Sequence, residues 1–380
     1  MKIVFFTHVD PAVRREPLSY SALQTTSGFS GTETAVMHVA HYLVGAGHRV
    51  HVLIPRCERR SSDGIHFGPP SVMDDPGFRD DIDVYSPVFF VWTAEDAWLR
   101  AKLRRHRTVY WLWPQSFVDD NHIRIVRSEG LRVAASFLCP YQRDNYDPSL
   151  FDAQVTIGNG VGPPFDAPHT PLPPPSERRG NWVFHASFER GGNVAARVMD
   201  RVRRDMPDAA RHLHLASYFT PDDHRALPVT STSCQITRHG SLSKTALADL
   251  LARCDYFVYP LVMDTGQVHH DTYACCVLEA LARGVIVVTW NVACMPSVYG
   301  DNVVRVDPRR DNGYNPNARF AHNPWMLSDD AVDALAAAVM RLEADPAEKE
   351  RVRRRGMDWA RTQTWRDRGA AFDAWLKTLE

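Results

Sequence analysis

The segment Asp271-Thr-Tyr-Ala-Cys-Cys-Val-Leu-Glu279-Ala-Leu-Ala-Arg-Gly284 sets two carboxylates eight residues apart. Its composition predicts a helix from Thr272 to Arg283, with Gly284 as a left-handed terminator, leading directly into a strand at Val285–Thr289. Eight residues of helix correspond to about 12 Å of rise and roughly 80° of rotation. Two acids so placed could contact opposite ends of one elongated ligand. The helix start beside them offers N–H groups and a positive dipole end, which suit a phosphate. One acid for a sugar, amides for a diphosphate and one acid for a ribose would together describe a nucleotide-sugar site. Spacing alone equally fits an N-cap aspartate and a solvated helical glutamate.

Other residues could share that chemistry. Arg190, in Phe184-His-Ala-Ser187-Phe-Glu-Arg190-Gly191, offers a fixed fork of donors to a diphosphate and a charge that offsets a leaving group. Lys244, a histidine such as His185, or main-chain amides could assist it; an ordinary surface arginine is the alternative. Gly28-Phe-Ser-Gly31-Thr32-Glu33 is a Gly-rich turn whose backbone at Gly31 and Thr32 permits close approach to a ligand. Glu33 is already explained by a capping box with Ser30. His269-His270 and Asp81-Ile-Asp83 superficially suggest metal ligands. Adjacent histidines point in different directions and the D-x-D lacks a strand-end context, so no metal is expected. Trp98 to Arg107 is a basic amphipathic stretch that could touch an anionic membrane or acceptor, with a solvated helix face as the favoured reading.

These residues need a scaffold, and the pattern of elements supplies one. Strands are predicted at Lys2–Phe6, Arg49–Ile54, Thr108–Leu112, Arg132–Ala135 and Gln154–Ile157. A second set lies at Asn181–His185, His212–Ala216, Cys234–Thr237, Tyr256–Tyr259, Val285–Thr289 and Asn302–Val306. Near-continuous apolar strands separated by helical patterns indicate parallel sheets covered on both faces. In the first helix Val36, Val39, Ala40, Leu43 and Val44 form one buried face, started by Ser30 and ended at Gly45 or Gly47. A last helix is expected from Trp359 to Leu379. Seven prolines between Pro163 and Pro175 mark a linker.

Composition narrows the class. A chain of 380 residues with 44% hydrophobic and 23% charged residues is ordinary for a globular protein of more than one domain. The net charge of -1 provides no global field for nucleic acid. Seven scattered cysteines without a C-x-x-C pair disfavour zinc, redox or disulfide frameworks. They read as buried free thiols of a reducing compartment, so the expected location is cytoplasmic; neither a membrane span nor a leader is evident.

The segment around Glu279 resembles the E-x7-E signature of retaining glycosyltransferases of the GT-B fold, particularly glycosyltransferase family 4. Asp271 stands for the first glutamate and Glu279 matches the second, within Leu278-Glu279-Ala280-Leu281-Ala282. The Gly28–Glu33 turn, Ile157-Gly-Asn159-Gly160-Val161, the Phe184–Gly191 loop, Gly240-Ser-Leu-Ser243, Cys254–Pro260 and the Trp365 helix fall in the order the resemblance requires. It implies an α/β architecture of two Rossmann-like doubly wound domains facing across a cleft. These are an acceptor-side domain at 1–162, a Pro-rich linker at 163–179 and a nucleotide-sugar domain at 180–363, with the helix at 364–380 crossing back. It further implies transfer of a sugar from a nucleotide-diphosphate sugar to an acceptor hydroxyl with retention. Arg190 and Asp271 would be catalytic, and Gly31, Thr32, Ser187, Arg190, Lys244, Thr272, Tyr273 and Glu279 would bind the donor. No cofactor is implied. Asp for Glu shortens one reach by a methylene. The histidine that relatives often carry after the strand at Tyr110–Trp113 is absent, with His8 and His122 as candidates by position only. Trp111 and Trp113 are read as core, with stacking on an acceptor sugar as the alternative. A catalytically degenerate binding protein and a nucleotide-sugar epimerase are the rival functions.

Overall fold

The computed structural model describes residues 1–7, 18–88, 93–104, 107–166, 172–216, 234–309, 314–315, 318–319 and 321–380. His8, part of the 98–107 stretch and part of the proline-rich segment lie outside them. The described chain divides into two compact units, one of residues 1–23, 30–160 and 365–380, the other of residues 24–29 and 161–364.

The first unit holds an eight-stranded sheet. Its strands are β1 (Lys2–Phe6), β2 (Arg49–Leu53), β3 (Arg60–Ser62), β4 (Ile65–Gly68), β5 (Val84–Pro87), β6 (Val109–Leu112), β7 (Arg132–Phe137) and β8 (Ala153–Thr156). They lie in the order β3-β4-β2-β1-β5-β6-β7-β8, parallel except for the β3–β4 hairpin. Three of these, β3, β4 and β5, are absent from the sequence expectation. The hairpin turns at Asp63-Gly64, both residues having positive φ (54° and 76°), which is the backbone a tight two-residue turn demands.

The Gly31–Gly45 helix begins as expected. Ser30 Oγ accepts from the Glu33 amide at 3.2 Å, and Glu33 Oε2 accepts from the Ser30 amide at 2.8 Å. Gly47, not Gly45, ends it, with φ 89° and its N–H on the Val44 carbonyl. Burial extends beyond the predicted stripe to Ala35, Met37 and His38. The Trp365–Leu376 helix packs on it and covers His38: His38 stacks on Trp365 at 5.4 Å, and Gly369 lies so close to Tyr42 that a Cβ would sit 2.3 Å from its ring. The predicted single terminal helix is in fact two, Pro346–Thr362 and Trp365–Leu376. Pairing of Val161 with Thr364, and a 2.7 Å bond from the Val161 amide to Gln363, interrupt the run.

Trp111 and Trp113 are fully buried beneath Phe372, and Trp111 Nε1 donates to Ser136 Oγ at 2.8 Å, so both belong to the core. Asp83 Oδ2 accepts from the Lys2 amide and Asp81 pairs with Arg49, so that D-x-D secures the foot of the sheet. In the basic stretch the helix spans only Ala94–Arg100. Arg100 is buried against Asp96 and Glu129, while Lys102 and Arg104 pair with Asp74 and Asp80. Each described arginine or lysine of the stretch thus has a carboxylate partner.

The second unit is a six-stranded parallel sheet: β9 (Asn181–Phe184), β10 (His212–Ala216), β11 (Gln235–Gly240), β12 (Tyr256–Tyr259), β13 (Ile286–Trp290) and β14 (Val304–Val306). The order is β11-β10-β9-β12-β13-β14. The chain winds outward from β9 in one direction and from β12 in the other. The gap outside the carboxyl ends of β9 and β12 is thus the switch point where open α/β sheets bind ligands. Among the described residues no helix is long and apolar enough to cross a membrane.

Candidate functional site

Two loops leave the switch point, and glycine locks them together. After β9 the chain turns through Gly191 at φ 109°, where a Cβ would meet the Pro260 ring at 3.0 Å. Pro260 directly follows β12, so a larger residue at 191 would push the two strand ends apart. The Gly192–Asp205 helix then starts with its first glycine against Phe188, where a Cβ would come within 2.3 Å of the ring.

This geometry brings Arg190 and Asp271 together. Arg190 Nη1 lies 3.5 Å from Asp271 Oδ2, and Tyr259 Oη donates to the same oxygen at 2.9 Å. The Tyr259 hydroxyl is buried, and that burial and the neighbouring carboxylate push its pKa up, so it remains a donor. Tyr259 has no role in the sequence reading, although it closes the quoted Cys254–Pro260 run. Which strand-end side chain faces Asp271 depends on contacts distant in sequence.

The helix after Asp271 begins later than expected. It spans Cys275–Ala282, with Ala274 as an N-cap that has no side-chain cap. Thr272 and Tyr273 therefore precede it. Thr272 is buried, and Tyr273 packs on Tyr299, whose hydroxyl donates to the Ala274 carbonyl at 2.7 Å. The amides at the helix start consequently belong to Cys275 and Cys276 rather than Thr272. The predicted end holds: Gly284 adopts φ 75°, the amides of Gly284 and Val285 bond to Leu281 and Ala280, and a Cβ would strike Leu172. Arg353 braces this end by bonding both Asp255, at the foot of β12, and the Gly284 carbonyl.

Glu279 sits one turn into the helix, 8% exposed, and its Oε1 lies 2.5 Å from Lys244 Nζ. Lys244 opens the Lys244–Ala252 helix, whose N-cap Ser243 accepts from the Ala246 amide. Glu279 is thus a paired, nearly buried carboxylate, unlike the solvated residue that spacing alone allowed. His185, at the end of β9, lies beside the start of this helix and in the field of Lys244. It is 7% exposed, and among the described residues neither ring nitrogen completes a hydrogen bond, although the Cys276 backbone lies beside the ring. Burial holds its pKa down to about 3, with Lys244 acting in the same direction. The Cys276 thiol, raised by burial, feels Asp271, Arg190 and Glu279, so both pairs flank the first turn of this helix.

The remaining predicted residues divide. Ser187 is buried in the β9 loop and its hydroxyl bonds Glu189 at 3.1 Å. Gly31 and Thr32 are the first two residues of the capped helix of the other unit. His122 is buried there near Tyr110 and Asp96, with its pKa lowered to about 4 by burial. His270 Nε2 accepts from the Ala321 amide at 2.8 Å, whereas His269 lies in the field of Arg190 and Asp271, so the adjacent histidines serve different neighbours. Among the described residues no group of three His, Cys, Asp or Glu could hold a metal ion.

Residues 181–345, which include Arg190, Lys244, Asp271 and Glu279, match the family model described as Glycosyl transferases group 1. No curated protein sequence matches the chain at a significant level. Among solved structures, the sucrose-phosphate synthase from Thermosynechococcus elongatus has a TM-score of 0.67 at 12% identity, covering 100% of this chain and 99% of that one. A glycosyltransferase from Rickettsia africae gives 0.66 at 12% identity, covering 100% and 98%. An E. coli structure titled as trehalose-6-phosphate and bound with UDP-2-fluoro glucose gives 0.56 at 12% identity, covering 99% of each chain. At such identities the likeness is one of fold. The chain therefore has the GT-B fold, and residues 181–345 of its second unit are similar to the glycosyl transferases group 1 model.

Proposed function

We propose that the protein is a retaining glycosyltransferase of the family 4 type, moving a hexosyl or pentosyl group from a nucleotide-diphosphate sugar to a hydroxyl of a glycan, a lipid-linked acceptor or a small molecule. The observation that carries this reading is Asp271, held by Arg190 and Tyr259 at the switch point, with the Lys244-paired Glu279 beyond the intervening helix start. In the proposed reaction Glu279 accepts hydrogen bonds from the donor ribose. The Cys275 and Cys276 amides, Arg190 and Lys244 meet the diphosphate, and Asp271 contacts the transferred sugar. The bond from the anomeric carbon to the diphosphate oxygen breaks as the bond to the acceptor oxygen forms. The acceptor proton passes to the departing diphosphate, whose charge Arg190 offsets. The UDP-2-fluoro glucose bound to a structural neighbour supports a nucleotide-sugar donor. No metal or other cofactor enters the proposal.

Incubation with UDP-, GDP- and dTDP-sugars, with and without candidate acceptors, tests it through nucleotide release and the anomeric configuration of the product. Release with the donor's configuration kept in the product supports it. Binding without release would assign a sugar-nucleotide-binding protein instead, and neither release nor binding with every donor would overturn both readings.

A further inference from the structure

The first unit contains a cavity of about 380 Å³ at the edge of its sheet, formed by β2, β4 and the 72–78 segment. Register pairs His51 of β2 with His66 of β4, and their rings stack at 4.9 Å and 25°. Phe78 meets His51 edge-on at 4.9 Å, so one wall of the cavity is continuous aromatic surface. His51 Nε2 is buried there, and among the described residues it has no hydrogen-bond partner. A polar nitrogen left so costs about 1–3 kcal/mol and calls for an explanation. Burial, reinforced by the positive charges of Lys2 and Arg49, holds the imidazole neutral, its pKa lowered to about 3.

The charged groups on the cavity are unbalanced. Arg59 and Arg60 both line it. Arg60 is fixed over the Phe67 ring at 4.2 Å and donates to the Leu18 carbonyl, while Arg59 makes no hydrogen bond or ion pair among the described residues. Asp75, the acid in the lining, accepts from the Gly77 amide at 2.9 Å. The floor includes Gly68, where an added Cβ would stand 3.3 Å from Val72 and 3.7 Å from Arg59.

We propose that this cavity is a second binding site, for a small anion that carries a flat ring, with the ring against His51, His66 and Phe78 and the anionic group on Arg59. Its volume falls in the range of pockets that take compact organic ligands. Guanidinium pairs more strongly with phosphate or carboxylate than with neutral acceptors. The site belongs to the first unit and is independent of the donor chemistry proposed above.

Calorimetric titration of the full chain with phenyl phosphate, benzoate, inorganic phosphate and phenol separates the two halves of the claim and the two kinds of anion. One phenyl phosphate or benzoate should bind per chain, at least tenfold more tightly than phosphate or phenol alone. Arg59→Ala, an exposed position, should weaken binding about tenfold, and Gly68→Leu should abolish it by filling the floor. Arg59→Glu guards against misfolding of the glycine variant, because it should abolish binding while leaving the thermal transition in place. Saturating UDP should not compete. No binding by either ring-bearing anion, unchanged binding in Arg59→Glu, or competition by UDP would each overturn the proposal.

Discussion

Replacing Glu279 by Gln keeps the volume and removes the charge, and its consequences can be worked from the Lys244 pair. The two side chains are 12% and 11% exposed, with Nζ and Oε1 2.5 Å apart. Breaking a buried pair by removing one partner costs up to about 3–5 kcal/mol; Lys244 can release its proton or turn toward water, so a loss of about 1–3 kcal/mol in stability is expected. The functional loss is separable. A carboxylate accepting from ribose hydroxyls contributes about 1.5–3 kcal/mol, which corresponds to about a 10- to 150-fold rise in donor Kd. A double-mutant cycle with Lys244→Met decides between a ligand contact and a mere ion pair. If Glu279 touches the donor, Glu279→Gln raises Kd by a similar factor in the wild-type and Lys244→Met backgrounds. If it serves only Lys244, the second effect vanishes. Titration calorimetry with the preferred donor gives the affinities and urea unfolding gives the stabilities. A change in Kd of less than about twofold in folded Glu279→Gln would refute the assignment of that residue to the ribose.

Three further outcomes are expected. Asp271→Asn should slow turnover on the order of 100-fold and Arg190→Ala should also act mainly on turnover, while Tyr259→Phe, which loses one hydroxyl donor to Asp271, should cost about tenfold; steady-state rates at saturating donor check these, and a wild-type rate in Asp271→Asn would place the site elsewhere. His185 stays neutral in the folded chain down to about pH 3 but titrates near 6.5 when unfolded, so unfolding takes up a proton between those values. Its contribution is complete above pH 6.5 and is lost as the pH falls, by about 1.4 kcal/mol per unit. His185→Phe should therefore lose about 1 kcal/mol less than the wild type between pH 6.5 and 5.5, and equal slopes in urea unfolding would contradict the burial argument. Gly369→Ala should destabilise the first unit by about 1–3 kcal/mol, because the new methyl meets the Tyr42 ring; an unchanged melting temperature would show that Tyr42 moves aside freely.

What could be read from the chain alone was whatever local chemistry encodes. Ser30 and Glu33 announced a helix start, Gly284 a helix end, and apolar runs such as Tyr256–Tyr259 a buried parallel strand. The Asp63-Gly64 hairpin is harder to read, because Arg60–Ser62 is polar and only the turn dipeptide marks it. The strand at Val84–Pro87 is short and ends in proline, which masks its place beside β1. At the site, the local pattern supplied the acids and the basic residues but not their partners. Arg190 and Asp271 are 81 positions apart, and Lys244 and Glu279 are 35 apart, so their pairing is a product of strand order. The late helix start at Cys275 has the same origin: burial of Thr272 and packing of Tyr273 on Tyr299 override a local preference for helix.

The return of residues 365–380 to the unit that contains Met1 bears on how the molecule is made. On the ribosome the first unit emerges early, yet the face of its first helix that meets Trp365 must wait, uncovered, until more than three hundred later residues have been translated. The second unit closes at residue 364 and needs no such patience. Synthesis from one end to the other thus completes the later half before the earlier one, and in the interval the nascent amino-terminal half exposes a surface that chaperones or a neighbouring chain can reach.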